Sequence, residues 1–263
     1  MRSAATAADD QSARVDARLA EILPRYAAAI AGAEFVFAFL DPLLGIVLYA
    51  GILIVALTQY ASRPTSPGRG ILPALALVPL LRIQSLVMPI EDVPRIAWYV
   101  LAGVPVLLAI ALTARALRLS PGTLGLRLPR TPWADLMAAA SGIPLGWIAY
   151  RASLGAQPIA DAGDLIVTVT VLMIFVAFLE ELLFRGLLQR LAADISTPAG
   201  PVIITIIYAT LFISSYSITL IALMAAAGAI FAWSVHRGSS LIGVTIGHGL
   251  ILMGGIVAPA LTR

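Results

Sequence analysis

Long apolar runs, separated by short polar or turn-forming stretches, dominate the pattern along this chain. At about 1.5 Å per residue in a helix, such runs are long enough to cross a hydrocarbon layer of about 30 Å or come close to it. They lack the two-residue alternation of a membrane barrel, so their backbone groups must be paired within helices. The pattern predicts an all-α membrane protein, a polytopic bundle of about seven or eight transmembrane helices. The runs cover residues 43–59, 71–90, 96–114, 134–150, 165–189, 200–216, 218–235 and 240–258.

The first 41 residues depart from this pattern. Residues 10–31 mix charged and apolar positions at helical spacing, which indicates an amphipathic helix at the membrane surface or a solvated N-terminal helix. Residues 26–40 form a shorter apolar stretch that Glu34 interrupts, and the sequence leaves open whether it crosses the membrane. We therefore divide the chain into an N-terminal amphipathic or interfacial segment (1–41), N-terminal transmembrane helices (42–160) and a C-terminal core (161–263).

Composition agrees with a membrane protein, because 60% of the 263 residues are hydrophobic and only 12% are charged. The chain has no cysteine, which excludes disulfides, thiolate nucleophiles and cysteine metal sites. The net charge of +3 comes from arginine, since lysine is absent, and no basic patch interleaved with aromatic residues is present. The composition therefore predicts the lipid bilayer as a partner and no nucleic acid.

Arginine distribution predicts the orientation. The loops 60–70 and 115–133 carry two and four arginines, whereas the loops near Arg95 and Arg151 carry one each. Arginine-rich loops stay on the cytoplasmic side, which also places the helix end at Arg190 there. We expect a multi-pass protein of the cell membrane, of the prokaryotic cytoplasmic type.

Charged and titratable side chains inside the runs are the candidates for function. Each charge costs about 2.5–3.5 kcal/mol near the centre of a membrane helix. Glu181 and Arg185 are spaced i, i+4, with the acid N-terminal, so they can pair on one helix face. Glu180 then points about 100° away and stays free to meet water or a substrate, as a general base must.

A simpler interpretation is that these side chains reach the interface from near a helix end. Glu180 lies about 15 Å from the end that Gln189 and Arg190 mark, which argues against that interpretation. His248 lies at a similar depth, about 12 Å into its own run, although a lone histidine is also compatible with a packing role. Arg82 requires an acid on a neighbouring helix, which the sequence does not identify.

The segment Glu180-Glu181-x-x-x-Arg185 in EELLFRG resembles the first motif of the CPBP family of intramembrane endopeptidases. That family includes CAAX-type prenyl proteases and bacteriocin-processing or immunity proteins (Abi). The order of EELLFRGLLQRL, an apolar helix ending near LF, and AAGAIFAWSVHRGSSLIGVTIGHG is similar to the family over roughly residues 165–260.

The resemblance implies a role for each matching residue. Glu180 would be the base that activates water, Glu181 and Arg185 its supporting pair, and His248 the histidine of the third motif. Two positions depart from the family. Tyr216 stands in Phe212-Ile-Ser-Ser-Tyr216 where a histidine is expected, and Leu252 stands where the third motif has a polar residue.

These departures limit the chemistry. Tyr216 can donate a phenolic hydrogen bond, but counting places it at the far end of its run, away from Glu180. With one intramembrane histidine the chain is short of zinc ligands, so we predict no metal site and no cofactor.

The predicted function is that of a hydrolase, an intramembrane CAAX-type endopeptidase that cleaves a membrane-associated peptide or protein by glutamate-activated water. The alternative is a catalytically impaired pseudoprotease of the same fold that acts as a bacteriocin-immunity, scaffold or peptide-binding membrane protein. A secondary transporter would show inverted repeats with broken helices in both halves, and the sequence shows neither. We expect Glu180, Glu181, Arg185 and His248 to line one cytoplasm-facing cavity.

Overall fold

A computed structural model describes residues 2–62, 70–88, 93–152, 159, 161–195 and 199–261, with side chains described from residue 21 onward. These residues form nine helices and no strand, which confirms the all-α prediction. The helices are α1 (Arg2–Phe39), α2 (Pro42–Ser62), α3 (Ile71–Val87), α4 (Arg95–Ala116), α5 (Pro132–Ala152), α6 (Ala162–Ile195), α7 (Ala199–Thr210), α8 (Ile218–His236) and α9 (Leu241–Leu252, continued through Met253–Val257 to Ala258–Leu261).

Five helices of the described part are long and apolar enough to cross a membrane. They are the Glu21–Phe39 part of α1, then α2, α4, α6 and α8; α3, α7 with its following turn, and α9 are shorter apolar helices. Three of the predicted spanning runs thus correspond to shorter helices, and the structure differs from the prediction at two further places. Residues 26–39 belong to one continuous helix of spanning length, whereas α5, which carries Asp135 and Arg151, is not among the candidates.

Glycines bring α5 and α9 into direct backbone contact. A Cβ on Gly142 or Gly146 of α5 would clash with the backbone of α9 at Gly247 and Leu250. Small residues allow membrane helices to approach this closely and to pack by dispersion contacts. Because His248 follows Gly247, this contact fixes where the imidazole lies.

Asp135, near the start of α5, anchors the beginning of α9. Its Oδ1 accepts from the Ser240 backbone N–H at 2.6 Å and from the Ser239 hydroxyl, and its Oδ2 accepts from the Ser240 hydroxyl at 2.8 Å. Ser240 itself caps α9 by accepting from the Ile242 N–H at 3.1 Å. The two helices are therefore fixed at this end as well as along their length.

The helix α6 is interrupted by wide turns on both sides of the two glutamates. Met173–Phe178 and Leu182–Leu188 are π-helical, and the α-helical turn Leu179–Glu181 lies between them. Such π-helical turns are rare and occur often at functional sites. The charged motif thus coincides with the least regular part of the helix.

Candidate active site

Glu181 is the centre of a buried charge cluster. Its Oε2 lies 3.3 Å from Arg185 Nε, and its Oε1 lies 2.9 Å from His248 Nδ1. The three side chains are at most 1% exposed. The i, i+4 pair inferred from spacing is present, and α9 adds the imidazole across from it.

Glu180 faces the other nitrogen of the same imidazole. Its Oε2 lies 4.0 Å from His248 Nε2, and neither atom has a hydrogen-bond partner among the described residues. The side chain is 20% exposed, unlike that of Glu181. His248 therefore lies between two carboxylates, one bonded to it and one 4.0 Å away, close enough for a single water at the side to bridge the two groups.

A small cavity of about 160 Å³ opens beside Glu180. Side chains of α3, α4, α6 and α7 line it, among them Arg82, Trp98, Glu180 and Tyr208. Glu181, Arg185 and His248 are not lining residues, because they are buried behind Glu180 in the charge cluster. The expectation that all four residues line one cavity is therefore wrong for three of them.

Tyr208 joins the cavity to the charge cluster. The Arg185 guanidinium lies over the Tyr208 ring, with Cζ 4.3 Å from the ring centroid, a cation–π contact. The Tyr208 hydroxyl lies close enough to interact with the Glu180 carboxylate, but it forms no hydrogen bond of regular geometry in the described part of the chain. A buried phenol without a partner is a donor available to a substrate.

Arg82 has the acidic partner that the sequence did not identify. Its Nη2 and Nε lie 2.5 and 3.0 Å from the two carboxylate oxygens of Glu34, which the Tyr49 hydroxyl also contacts at 2.5 Å. Arg82 Nη2 further donates to the Ser214 hydroxyl at 3.1 Å. This second charge cluster links α1 and α3 to the chain segment after α7.

Tyr216 does not reach the site. After Thr210 the chain leaves α7 and passes through a 3₁₀ turn, Ile213–Ser215, which carries Tyr216 to the end of the bundle. There its side chain is 68% exposed and its hydroxyl donates to the Ala38 carbonyl at 2.5 Å. Tyr216 as a catalytic donor is thus not supported, in agreement with the depth counted from the sequence.

Leu252 lies one turn after His248 on α9 but belongs to an apolar environment. It packs against a cluster of Leu172, Ile256 and Val257. Among the described residues no set of three or more acidic, histidine or cysteine side chains is arranged to hold a metal ion.

Sequence reasoning missed Tyr208 and Trp98. Both line the cavity, and the Trp98 indole N–H, like the Tyr208 hydroxyl, has no partner within the described ranges. The only sequence feature that could have identified them is an aromatic side chain with a polar group, the hydroxyl or the indole N–H, inside an apolar run. That signal is weak, because tyrosine and tryptophan are common near membrane interfaces.

Comparison with known proteins adds one match. Residues 162–253 match the family model described as type II CAAX prenyl endopeptidase Rce1-like. No curated protein and no solved structure matched the chain. The matching segment begins with α6 and includes Glu180, Glu181, Arg185 and His248, and it ends just after Leu252. The chain is a multi-pass membrane protein, and the match of residues 162–253 to the type II CAAX prenyl endopeptidase Rce1-like model agrees with the resemblance that the motif at Glu180 indicated.

Proposed function

We propose that this protein is an intramembrane endopeptidase in which Glu180 is the general base. The observation that carries the proposal is the arrangement of Glu180 Oε2 and His248 Nε2, both unpaired and 4.0 Å apart, beside a cavity between helices. One water oxygen can hydrogen-bond to both atoms at ordinary distances. That water would be held and polarised where a peptide carbonyl can approach it.

The reaction begins with proton transfer from this water to Glu180. The water oxygen forms a bond to the carbonyl carbon while the carbonyl electron pair moves onto oxygen. We assign the Tyr208 hydroxyl, a donor on the cavity wall beside Glu180, to the stabilisation of that oxyanion. Glu180 then returns its proton to the amide nitrogen, the C–N bond breaks, and an amine and a carboxylic acid leave.

Glu181 and Arg185 act as positioning residues. A carboxylate at 2.9 Å from Nδ1 holds the imidazole so that Nε2 faces Glu180. The Arg185 guanidinium stabilises the charge on Glu181 in surroundings that exclude water. Neither side chain needs to touch the substrate.

The substrate class follows from the family description and the lining of the cavity. The description names a prenylated CAAX sequence as the target of the family. Aromatic and aliphatic side chains such as Trp98, Phe175 and Leu211 form most of the cavity wall here, which suits the apolar positions of such a peptide. We therefore propose a membrane-associated peptide or protein substrate.

A catalytically impaired pseudoprotease is the second candidate. It is favoured by the two departures from the family, because Tyr216 lies outside the site and Leu252 is in an apolar cluster. Such a protein would bind peptides, or serve as an immunity or scaffold protein, without hydrolysing them. The two candidates share the fold and differ only in the chemistry of the site.

Peptide cleavage in proteoliposomes separates the candidates. We expect the wild type to cleave a prenylated CAAX peptide and Glu180→Gln to lose activity by about 10²- to 10⁴-fold, the usual contribution of a general base. Tyr216→Phe is the matched control, because its side chain is exposed and remote, and it should cleave like the wild type. Cleavage that survives Glu180→Gln would exclude the proposed base. Peptide binding without cleavage by the wild type would favour the pseudoprotease.

A further inference from the structure

A second polar pocket lies at the far end of α6, apart from the proposed active site. It has a volume of about 570 Å³ and is lined by the loop between α4 and α5, the end of α6, and the end of α8. Arg190, one of its residues, follows Glu180 by ten positions, which is about 15 Å along the helix. The pocket is therefore not part of the catalytic cluster.

Three arginines, Arg127, Arg130 and Arg190, line this pocket, which we call the arginine pocket. The acid that shares its lining is Asp194, and none of the three arginines forms an ion pair in the described part of the chain. Arg127 Nε and Arg190 Nε and Nη2 are shielded from solvent and have no hydrogen-bond partner there. Unpaired buried guanidinium donors are costly, and an anion with several oxygens would satisfy them.

The loop of the arginine pocket is built to hold these side chains. Gly125 has φ +83° and lies so close to Arg190 that a Cβ there would clash with Nη2. Its carbonyl accepts from the Leu241 N–H at 3.0 Å, and the Arg130 N–H donates to the Gly238 carbonyl at 3.1 Å. The loop is thus tied to the turn between α8 and α9, which holds the guanidinium groups near one another.

The position of the arginine pocket corresponds to the headgroup region of a membrane. The 34 residues of α6 extend about 50 Å, more than a hydrocarbon core of about 30 Å, so an end of α6 must project into the headgroups. Trp133 and Trp233 form an edge-on pair at 5.7 Å near this end and are 49% and 43% exposed. Exposed tryptophans mark the interface between lipid tails and water.

An apolar groove continues from the arginine pocket between α7 and α8. It has a volume of about 460 Å³, and Val202, Ile206 and Ala229 are among its lining residues. Pro201 and His236 line both the groove and the arginine pocket, so the two are adjacent. The charged pocket thus lies at headgroup level and joins an apolar groove on the outside of the bundle. This arrangement matches a lipid, which has a charged headgroup and apolar tails.

We propose that the arginine pocket and the groove together bind an anionic glycerophospholipid. The phosphate oxygens would accept hydrogen bonds from Arg127, Arg130 and Arg190, since guanidinium groups match phosphate in geometry and charge. One acyl chain would occupy the groove between α7 and α8. A free phosphate ion shares the headgroup chemistry but gains nothing from the groove.

Binding to purified protein in neutral detergent tests this lipid site. The probes are phosphatidylglycerol, phosphatidylcholine and inorganic phosphate, measured by native mass spectrometry and by titration. We expect phosphatidylglycerol to bind best, and Arg190→Gln or Arg127→Gln to weaken it about tenfold, the effect of one charged hydrogen bond. Arg115→Gln is the matched control, because Arg115 is exposed at the nearby end of α4 and does not line the arginine pocket. It should change affinity by less than about twofold, as a surface charge does.

A groove variant distinguishes a lipid from a free anion. Ala229→Phe places a large side chain in the groove and should weaken phosphatidylglycerol without affecting inorganic phosphate. Equal binding of phosphatidylglycerol by the wild type and Arg190→Gln would overturn the proposal, as would an equal loss in Arg115→Gln. The proposal would also be overturned if inorganic phosphate bound as tightly as phosphatidylglycerol and Ala229→Phe did not change the affinity for the lipid. The pocket would then be a site for free anions. If Arg190→Gln does not fold, Arg130→Gln replaces it, because Arg130 is exposed and its substitution leaves packing intact.

Discussion

His248 determines what the candidate active site can do, because one of its nitrogens is committed and the other is not. Glu181 holds Nδ1 at 2.9 Å, whereas Nε2 faces Glu180 across 4.0 Å with no direct bond. A carboxylate bonded to one side of an imidazole fixes which nitrogen faces the reaction. At the scale of single residues the two adjacent glutamates therefore differ in environment, and the proposed mechanism makes Glu181 positioning and Glu180 reactive.

The phenol of Tyr208 gives a prediction at this scale. Tyr208→Phe should lower kcat for peptide cleavage about 100-fold, the cost of removing one oxyanion donor. The fold should be unaffected, because the hydroxyl has no hydrogen-bond partner among the described residues. Single-turnover cleavage in proteoliposomes measures the effect. Tyr216→Phe is the matched control, because it makes the same change at a tyrosine outside the cavity. Full activity in Tyr208→Phe would remove Tyr208 from the mechanism.

Sequence spacing predicted the local part of this cluster and not the rest. Glu181 and Arg185 are neighbours within one helix, so i, i+4 geometry was enough to pair them. Tyr216 occupies the motif position but not the site, since a turn after α7 carries it to the end of the bundle. Tyr208 is at the site without any motif, because only packing of α7 against α6 brings it there.

At the scale of elements, the contact between α5 and α9 holds the imidazole in place. Both helices carry glycines where their backbones meet, and Asp135 ties their ends together. Close packing of this kind has no room for added atoms, so it transmits any change directly to neighbouring side chains. The position of His248 is thus a property of the helix pair.

Gly142→Ala tests this dependence. The added methyl group would clash with the Gly247 carbonyl, and we expect a loss of stability of about 1–3 kcal/mol, typical of overpacking. Cleavage should fall as well, because α9 must shift and carry His248 away from Glu180. Gly51→Ala on α2 is the control, since a Cβ there meets nothing within 4 Å. Unfolding in detergent, followed by circular dichroism, should separate the two variants.

At the scale of the whole molecule, two buried charge clusters connect distant parts of the chain. The first joins α6 to α9 through Glu181, Arg185 and His248. The second joins α1 to α3 and to the turn after α7 through Glu34, Arg82 and Ser214. The N-terminal helix, which lies outside the matching family segment, therefore holds Arg82, a lining residue of the candidate active-site cavity, through Glu34.

Glu34→Gln tests this contribution. It leaves the Arg82 charge without an acid in a mostly buried position, and we expect a loss of about 3–5 kcal/mol of stability. The exposed pair of Glu21 and Arg25 on the same helix is the control, where Glu21→Gln should cost about 0–1 kcal/mol. Equal midpoints of thermal unfolding for both variants would show that the Arg82 pair is not structural.

The sequence predicted the fold class because hydropathy is a property of each run by itself. It left the Arg82 partner unknown because Glu34 lies 48 positions away, and no local rule relates two such residues. It also treated residues 26–40 as a separate short stretch, whereas α1 continues without a break to Phe39 and places Glu34 opposite Arg82. Glu34, the charge that interrupts the apolar run, is therefore the residue that pairs with Arg82 in the folded protein.

The wide turns around Leu179–Glu181 have a consequence for comparing relatives of this protein. Each π-helical turn accommodates an extra residue, so a projection that assumes uniform α-helical periodicity assigns later residues of α6 to incorrect faces. Loss of one residue within Leu182–Leu188 would remove this extra residue and restore α-helical geometry, so the parts of α6 on either side would keep their faces. Single-residue gaps in this stretch would therefore mark relatives that lack the π-helical turn but still present the same faces of α6 to the neighbouring helices.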